Sequence, residues 1–238
     1  MLDRHLVEKM GREDFSRAAF LDARRRAWDL LQDIAAQIRP GMTEPDAQAL
    51  LKLAMARHGS EKPWHRPIIR FGSDTQKIFT PQSDPTLRLA EDDIFFLDFG
   101  PVWQGYEADV GATFTLGTDQ EMAKCAGDAQ RLFELVRDEW LRTQISGTAL
   151  YDFAETAAQS RGWRLVRQQH GHRLGDFPHH AHFRGGLSEV DFYPASDAWV
   201  LEIHIRHPTR PFGAFYEDLL VAGYTIPRPG AASTNCRV

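Results

Sequence analysis

Asp98, Asp109, His172, Glu202 and Glu217 are the residues of this chain whose types and settings could do chemistry together. Each acid sits in apolar, strand-like sequence: Leu97-Asp98-Phe99, Ala108-Asp109-Val110, Leu201-Glu202-Ile203 and Tyr216-Glu217-Asp218. A carboxylate buried without a partner is costly, so such a set calls for cations. Two divalent ions balance four carboxylates, and neutral His172 completes a coordination sphere without upsetting that balance. Oxygen-rich ligation with a single imidazole suits manganese, cobalt, iron or zinc. Water held between two such ions ionises near neutral pH and serves as a nucleophile, which is hydrolytic chemistry.

The local patterns add detail. Two strands joined by a turn near Trp103-Gln104 place Asp98 and Asp109 almost opposite each other, a destabilising arrangement unless a metal lies between them. His172 belongs to a run of histidines (His170, His172, His179, His180 and His182) punctuated by Gly171 and Gly175, which let backbone approach a site closely. Residues two apart on a strand share a face, so Glu202 and His204 point the same way while Leu201, Ile203 and Ile205 point the other. Beyond that strand, Glu217 and Asp218 are adjacent, and alternation alone does not say which turns inward. Arg173 and Arg66 are candidate anchors for a substrate carboxylate by chemistry alone.

The elements that must position these groups are legible in outline. Apolar residues Phe20, Leu21, Ala27, Leu30, Leu31, Ile34 and Ile38 recur at helical spacing, predicting a helix over about 14–38 that Pro40-Gly41 stops. Thr43 caps a second helix that ends near Gly59. Strands follow near 65–71, 93–99 and 109–116. The second half repeats the order, with helices over about 119–142 and from Thr148 to Gly162, then strands near 164–168, 198–205 and 215–222. Two helix, helix, strand halves, about 14–117 and 118–225, suggest a duplicated unit within one domain spanning 1–238, followed by an exposed tail over 226–238.

Composition bounds the rest. The 33 acids and 28 bases leave a net charge of −5, and no basic run exceeds Arg24-Arg25-Arg26, which argues against a nucleic-acid binder. Cys125 and Cys236 show no pairing pattern, the N-terminus lacks the apolar core of a signal peptide, and no stretch approaches the roughly 20 apolar residues that span a bilayer. A cytoplasmic protein without membrane contact is expected.

In these residues the chain resembles the pita-bread metallopeptidases, the family of methionine aminopeptidase, prolidase and aminopeptidase P. The order Asp, Asp, His, Glu, Glu is similar to the family's dinuclear metal ligands. Asp98-Phe99-Gly100 with Gly105-Tyr106-Glu107-Ala108-Asp109 and Thr113-Phe114 resembles its first ligand hairpin. Gly171-His172-Arg173-Leu174-Gly175 followed by His179 resembles its histidine motif, and Tyr216-Glu217-Asp218 its last ligand segment. The resemblance covers about residues 15–225. It implies an α+β pita-bread fold, two pseudo-symmetric halves around a curved, mainly antiparallel sheet. It also implies two divalent metal ions, with Asp109 and Glu217 bridging them, Asp98 on one, and His172 and Glu202 on the other. Glu202 resembles the family's general acid/base, and His179 the histidine that contacts the substrate carbonyl and stabilises the oxyanion.

Departures from the pattern bear on the substrate. The family's peptidases carry a substrate-facing histidine about 18 residues before the first aspartate, where this chain has Thr80; His65 or His204 could substitute for it in space. The Glu-Pro pairing common at the fourth ligand is Glu202-Ile203 here, and the interval to Glu217 is short. The expected function is metal-dependent cleavage of an amide bond in a small peptide or amide, of the Xaa-Pro peptidase or aminopeptidase type. A non-peptide C–N hydrolase and a non-catalytic peptide- or protein-binding module are the alternatives. By analogy with the fold, a homodimer is expected.

Overall fold

The computed structural model describes residues 2–80, 82–179 and 183–222. His180, His182, Cys236 and the tail over 226–238 lie outside the described residues. A short helix α1 (Arg4–Val7) precedes α2 (Arg17–Ala35) and α3 (Glu44–Arg57). Ser16 caps α2 by accepting from the Ala19 N–H. Thr43 and Asp46 form a reciprocal capping box on α3, which satisfies N–H groups that have no partner inside the helix. Then come β1 (Ile68–Phe71), β2 (Asp93–Phe99), a small ribbon of β3 (Val102–Trp103) and β4 (Tyr106–Glu107), and β5 (Val110–Leu116). Helices α4 (Gln120–Thr143) and α5 (Gly147–Ser160) open the second half, followed by β6 (Arg164–Leu165), β7 (His172–Arg173), β8 (Trp199–Arg206) and β9 (Gly213–Leu219).

The strands form one seven-stranded sheet in the order β1-β2-β5-β9-β8-β6, with β7 also on β8, and the pairings are antiparallel. Read outward from the central β5–β9 contact, each half contributes its strands in reverse chain order. The helices cover one face. Tyr216 on β9 packs between Trp28 of α2 and Phe133 of α4, with ring centroids 5.6 and 5.1 Å away. Leu97, Leu201 and Ile203 are fully buried on the same side.

That packing decides the orientation of the two adjacent acids. Asp218, next to Tyr216 but one, faces the helices and is held by Arg24 of α2 (Nε to Oδ1, 2.6 Å) in a fully buried pair. Glu217 therefore faces the opposite side of the sheet. A buried pair of this kind is retained because removing either partner strands a charge, at about 3–5 kcal/mol.

One expectation needs correction. Asp98 and Asp109 are not opposite each other: Asp98 pairs with Gly111, and Asp109 lies just before β5. The ribbon β3–β4 is inserted where a single turn was expected. The two aspartates are diagonal neighbours on one face, which still lets their carboxylates converge.

Candidate functional site

One row of residues runs straight across five strands on the face away from the helices. Ile68 pairs with Asp98, Asp98 with Gly111, Gly111 with Glu217, and Glu217 with Glu202. Neighbouring strands are about 4.8 Å apart, so this register alone gathers three carboxylates into a short line. Gly111 makes room in the middle of the row for the Phe215 ring, which a Cβ there would approach to 2.5 Å. Asp109 enters from the residue just before β5, and His172 on β7 pairs with Val200, the neighbour of Glu202 on that face. The groups line a cavity of about 380 Å³ together with Trp64, His65 and His179.

Asp109 stands at the centre. Its Oδ1 is 3.2 Å from His65 Nε2 and its Oδ2 is 3.1 Å from His172 Nε2. His172 Nε2 is also 3.4 Å from Glu217 and 3.8 Å from Glu202. His65, Asp98 and Asp109 offer ligand atoms within 4.8 Å of one another, and so do Asp109, His172 and Glu217.

Behind this set sits a pair that sequence reasoning did not assign. Glu107 of β4 is fully buried and accepts from the backbone N–H of His179 at 3.0 Å and from its Nδ1 at 2.8 Å. That contact assigns the Nδ1 proton and leaves Nε2 on the other edge of the ring. Burial lowers the His179 pKa, against the pull of Glu107, so the ring is neutral. Trp64 was also missed. Its ring lies 4.5 Å from His65, 5.2 Å from His172 and 4.5 Å from His179, and its Nε1 donates to the Ala108 carbonyl at 3.1 Å. Glu107 stood inside the quoted hairpin motif and Trp64 beside His65, but neither position carries a signal of its role without the contacts.

Several expected contacts fall elsewhere. Arg173 is fully buried, faces the helix side of β7 and donates to the carbonyls of Glu8 and Lys9, so it holds the N-terminal segment and does not line the cavity. His204 shares a face with Glu202 but is fully buried between Phe96 and Phe215, with Nε2 2.8 Å from the Thr75 carbonyl. Burial lowers its pKa to about 4, so it is a neutral packing group. Arg66 borders a separate surface groove. The arginine on the cavity wall is Arg184.

The electrostatics fit a cation-holding site. Burial, reinforced by Asp109, Asp98 and Glu202, pushes the Glu217 carboxyl well above the carboxylate range. Asp98 rises by burial, with Asp109 and Glu202 adding to it against His65. Burial works against the charge on His65 and His172, yet Asp109, joined by Asp98 at His65 and by Glu202 at His172, lifts both to about 9. Glu217 Oε2 is buried with no hydrogen-bond partner. Glu202 and Glu217 are cross-strand partners, a like-charged pair that a sheet does not favour unaided. Carboxylates, imidazoles and an orphaned oxygen converging on one cavity match the donors that divalent cations take.

The sign of these shifts predicts how the metal-free protein responds to pH. His65 and His172 bind their protons more tightly folded than at the ordinary 6.5. Their stabilisation is complete below pH 6.5 and is lost as the pH rises through about 9. The raised Asp98 and Glu217 act in the same direction, starting from the ordinary carboxylate range. Chelator-treated protein is expected to melt at progressively lower temperature from pH 6.5 to 9 in calorimetry, and added divalent cation to reverse the trend. A melting temperature independent of pH and of cation would contradict this account.

The mainly antiparallel sheet, the helices on one face and the acid-lined cavity on the other define a protein built like a metallohydrolase. Residues 18–222 match metallopeptidase family M24, and the chain belongs to that family. Its enzymes use divalent metals. A methionine aminopeptidase of Archaeoglobus fulgidus is 26% identical over 170 residues, covering 71% of this chain and 56% of that protein. An X-Pro aminopeptidase of Thermotoga maritima superposes with a TM-score of 0.69 at 19% identity, over 90% of this chain and 63% of that one. A methionine aminopeptidase from the same organism gives a TM-score of 0.63 at 15% identity, over 85% and 92% of the two chains. The fold is thus the pita-bread fold that the sequence motifs resemble. The chain spans less than two thirds of the length of the first two of these relatives.

Proposed function

We propose that this chain is a dinuclear metal-dependent hydrolase that cleaves an amide bond in short peptides, of the Xaa-Pro peptidase or aminopeptidase type. The observation that carries the reading is Asp109, with one oxygen turned to each of two ligand clusters. Asp98, Asp109 and Glu217 would hold one ion, and Asp109, His172, Glu202 and Glu217 the other. Bound there, divalent ions supply a Lewis acid and lower the pKa of coordinated water toward neutrality.

The protein's own groups do the rest. Glu202, whose side chain is the most open of the four carboxylates at 14% exposure, accepts the proton of the attacking water and passes it to the departing nitrogen. His179 meets the substrate carbonyl. The ring takes a proton from solvent at Nε2, its charge compensated by buried Glu107, and donates it in a hydrogen bond to that oxygen as negative charge builds there. Removing the imidazole by His179→Ala is expected to lower kcat by about 10²–10³-fold. Glu107→Gln, which keeps the ring but removes its counter-charge, should cost at least about 10-fold, and the double variant should be no slower than His179→Ala alone. Additive losses in steady-state kinetics would mean that Glu107 acts independently of His179.

A cavity of about 380 Å³ suits a ligand of dipeptide size, near the lower end of small-molecule sites. One feature favours a second reading as a non-peptide C–N hydrolase. Phe79 lines the cavity beside Thr80, the sequence position at which the family's peptidases carry a histidine. A substrate panel of Xaa-Pro and Met-Xaa dipeptides beside N-acyl and guanidino compounds decides between the two. Turnover of a dipeptide is expected. Silence from every peptide with turnover of an N-acyl or guanidino compound would replace the peptidase assignment with the second reading.

A further inference from the structure

What suits His172 to hold a metal ion is duplicated at His65. Nδ1 of His172 lies 2.9 Å from the carbonyl of Arg173, the next residue in the chain. Nδ1 of His65 lies 3.0 Å from the carbonyl of Arg66, again the next residue. An N–H donated to a backbone carbonyl fixes the tautomer with a lone pair on Nε2, the usual arrangement behind a metal-bound imidazole. Each Nε2 then meets Asp109, His65 at Oδ1 (3.2 Å) and His172 at Oδ2 (3.1 Å). His65 Nε2 is also 3.8 Å from Asp98 Oδ1, within the range that separates His172 from Glu217 and Glu202. Donors sharing one ion at bond lengths of about 2.0–2.2 Å lie roughly 3–3.8 Å apart.

The local structure places this ring deliberately. A Cβ at Gly100 would run into Trp64 Nε1 and the His65 ring, so the glycine is what lets the pair close over the end of β2. Trp64, tied to the Ala108 carbonyl, then packs edge-on against His65 at 4.5 Å. Thirteen per cent of the His65 side chain is exposed.

We propose that His65 is a metal ligand, its imidazole joining Asp98 and Asp109 on one divalent cation while His172 serves the other. The proposal rests on the two-ion reading above and gives His65 a different task from the substrate contact expected from sequence. Each ion then has one nitrogen donor, where a single-imidazole site leaves one ion with oxygen alone. The added nitrogen shifts the pair away from the all-oxygen ligation that suits magnesium or manganese and toward zinc, cobalt or iron.

Zinc content and affinity, measured by competition with a chromophoric chelator, test this on the full chain, His65→Gln and His65→Ala. X-ray absorption on the zinc-loaded wild type counts imidazoles without any variant. The expected result is two ions per chain with an average of one imidazole per ion. His65→Gln should weaken one ion by roughly 10–100-fold or more and leave the other bound. Both ions held at wild-type affinity in the two variants, or half an imidazole per ion in the wild type, would overturn the assignment of His65 while leaving two ions in place. Wild-type protein that binds no zinc, cobalt, iron or manganese would instead overturn the two-ion reading, and His65 with it.

Discussion

Asp109→Asn is expected to abolish turnover, with kcat/KM falling by on the order of 10⁴-fold or more, and to take bound metal with it. The two readouts are linked because Asp109 is the residue shared by both ligand clusters. Its pKa is held below the ordinary carboxylate value: burial would raise it, but His65 and His172 on either side outweigh that cost. An amide keeps the shape and loses the charge, so the buried site has one fewer negative group with which to balance cations. The measurements are metal content after dialysis against metal-free buffer and steady-state kinetics on the best substrate of the panel. Retention of both ions at normal affinity would show that Asp109 is not the bridge. A circular dichroism melt confirms that any loss is not unfolding. In the metal-free protein the substitution also removes a charge that His65 and His172 favour, so a lower melting temperature is expected and the kinetics are compared below it.

Glu202→Gln should separate chemistry from metal binding. Gln retains an oxygen donor toward the cavity but cannot take and return a proton, so kcat is expected to fall by about 10²–10⁴-fold while KM changes little. Metal content should stay near wild type, in contrast to Asp109→Asn. The position supports the distinction. Glu202 comes from the strand beyond Glu217, its side chain is more open than those of Asp109 and Glu217, and its backbone is held by Tyr151, whose hydroxyl lies 3.0 Å from the Glu202 carbonyl and 3.2 Å from its N–H. A variant with unchanged kcat would remove Glu202 from proton transfer, and one that loses metal as completely as Asp109→Asn would make it chiefly a ligand.

The residues that were legible in the chain were those whose burden shows locally. A charged residue inside an apolar strand is an anomaly at the level of five or six letters, and Asp98, Asp109, Glu202 and Glu217 were all visible for that reason. The helices were equally plain, because a helical repeat with a capping Thr43 and a stop at Pro40-Gly41 is written in neighbouring residues. Strand ends were less so: the expected strand over 65–71 begins only at Ile68, since Trp64 and His65 are drawn out toward the cavity.

Arg173, His204 and Arg66 show where reading by residue type failed. Each has the chemistry of a substrate contact, but chemistry does not state direction. Arg173 is one position from His172 on a two-residue strand, and strand alternation sends it to the opposite face. His204 does share a face with Glu202, yet the row of paired residues that makes the site passes through Glu202 and not through His204, which is sealed beneath Phe96 and Phe215.

Residue types, local hydrophobic context and motif order were enough to assign this chain's family, its fold class and the groups capable of holding cations, because each is encoded within short stretches. Convergence was another matter. The row from Asp98 through Gly111 and Glu217 to Glu202, the inward turn of Glu217 in preference to Asp218, the Glu107 behind His179 and the matching of His65 to His172 all come from pairing between segments tens of residues apart. Such contacts depend on strand register and on which face the helices cover, quantities that no single stretch of sequence carries.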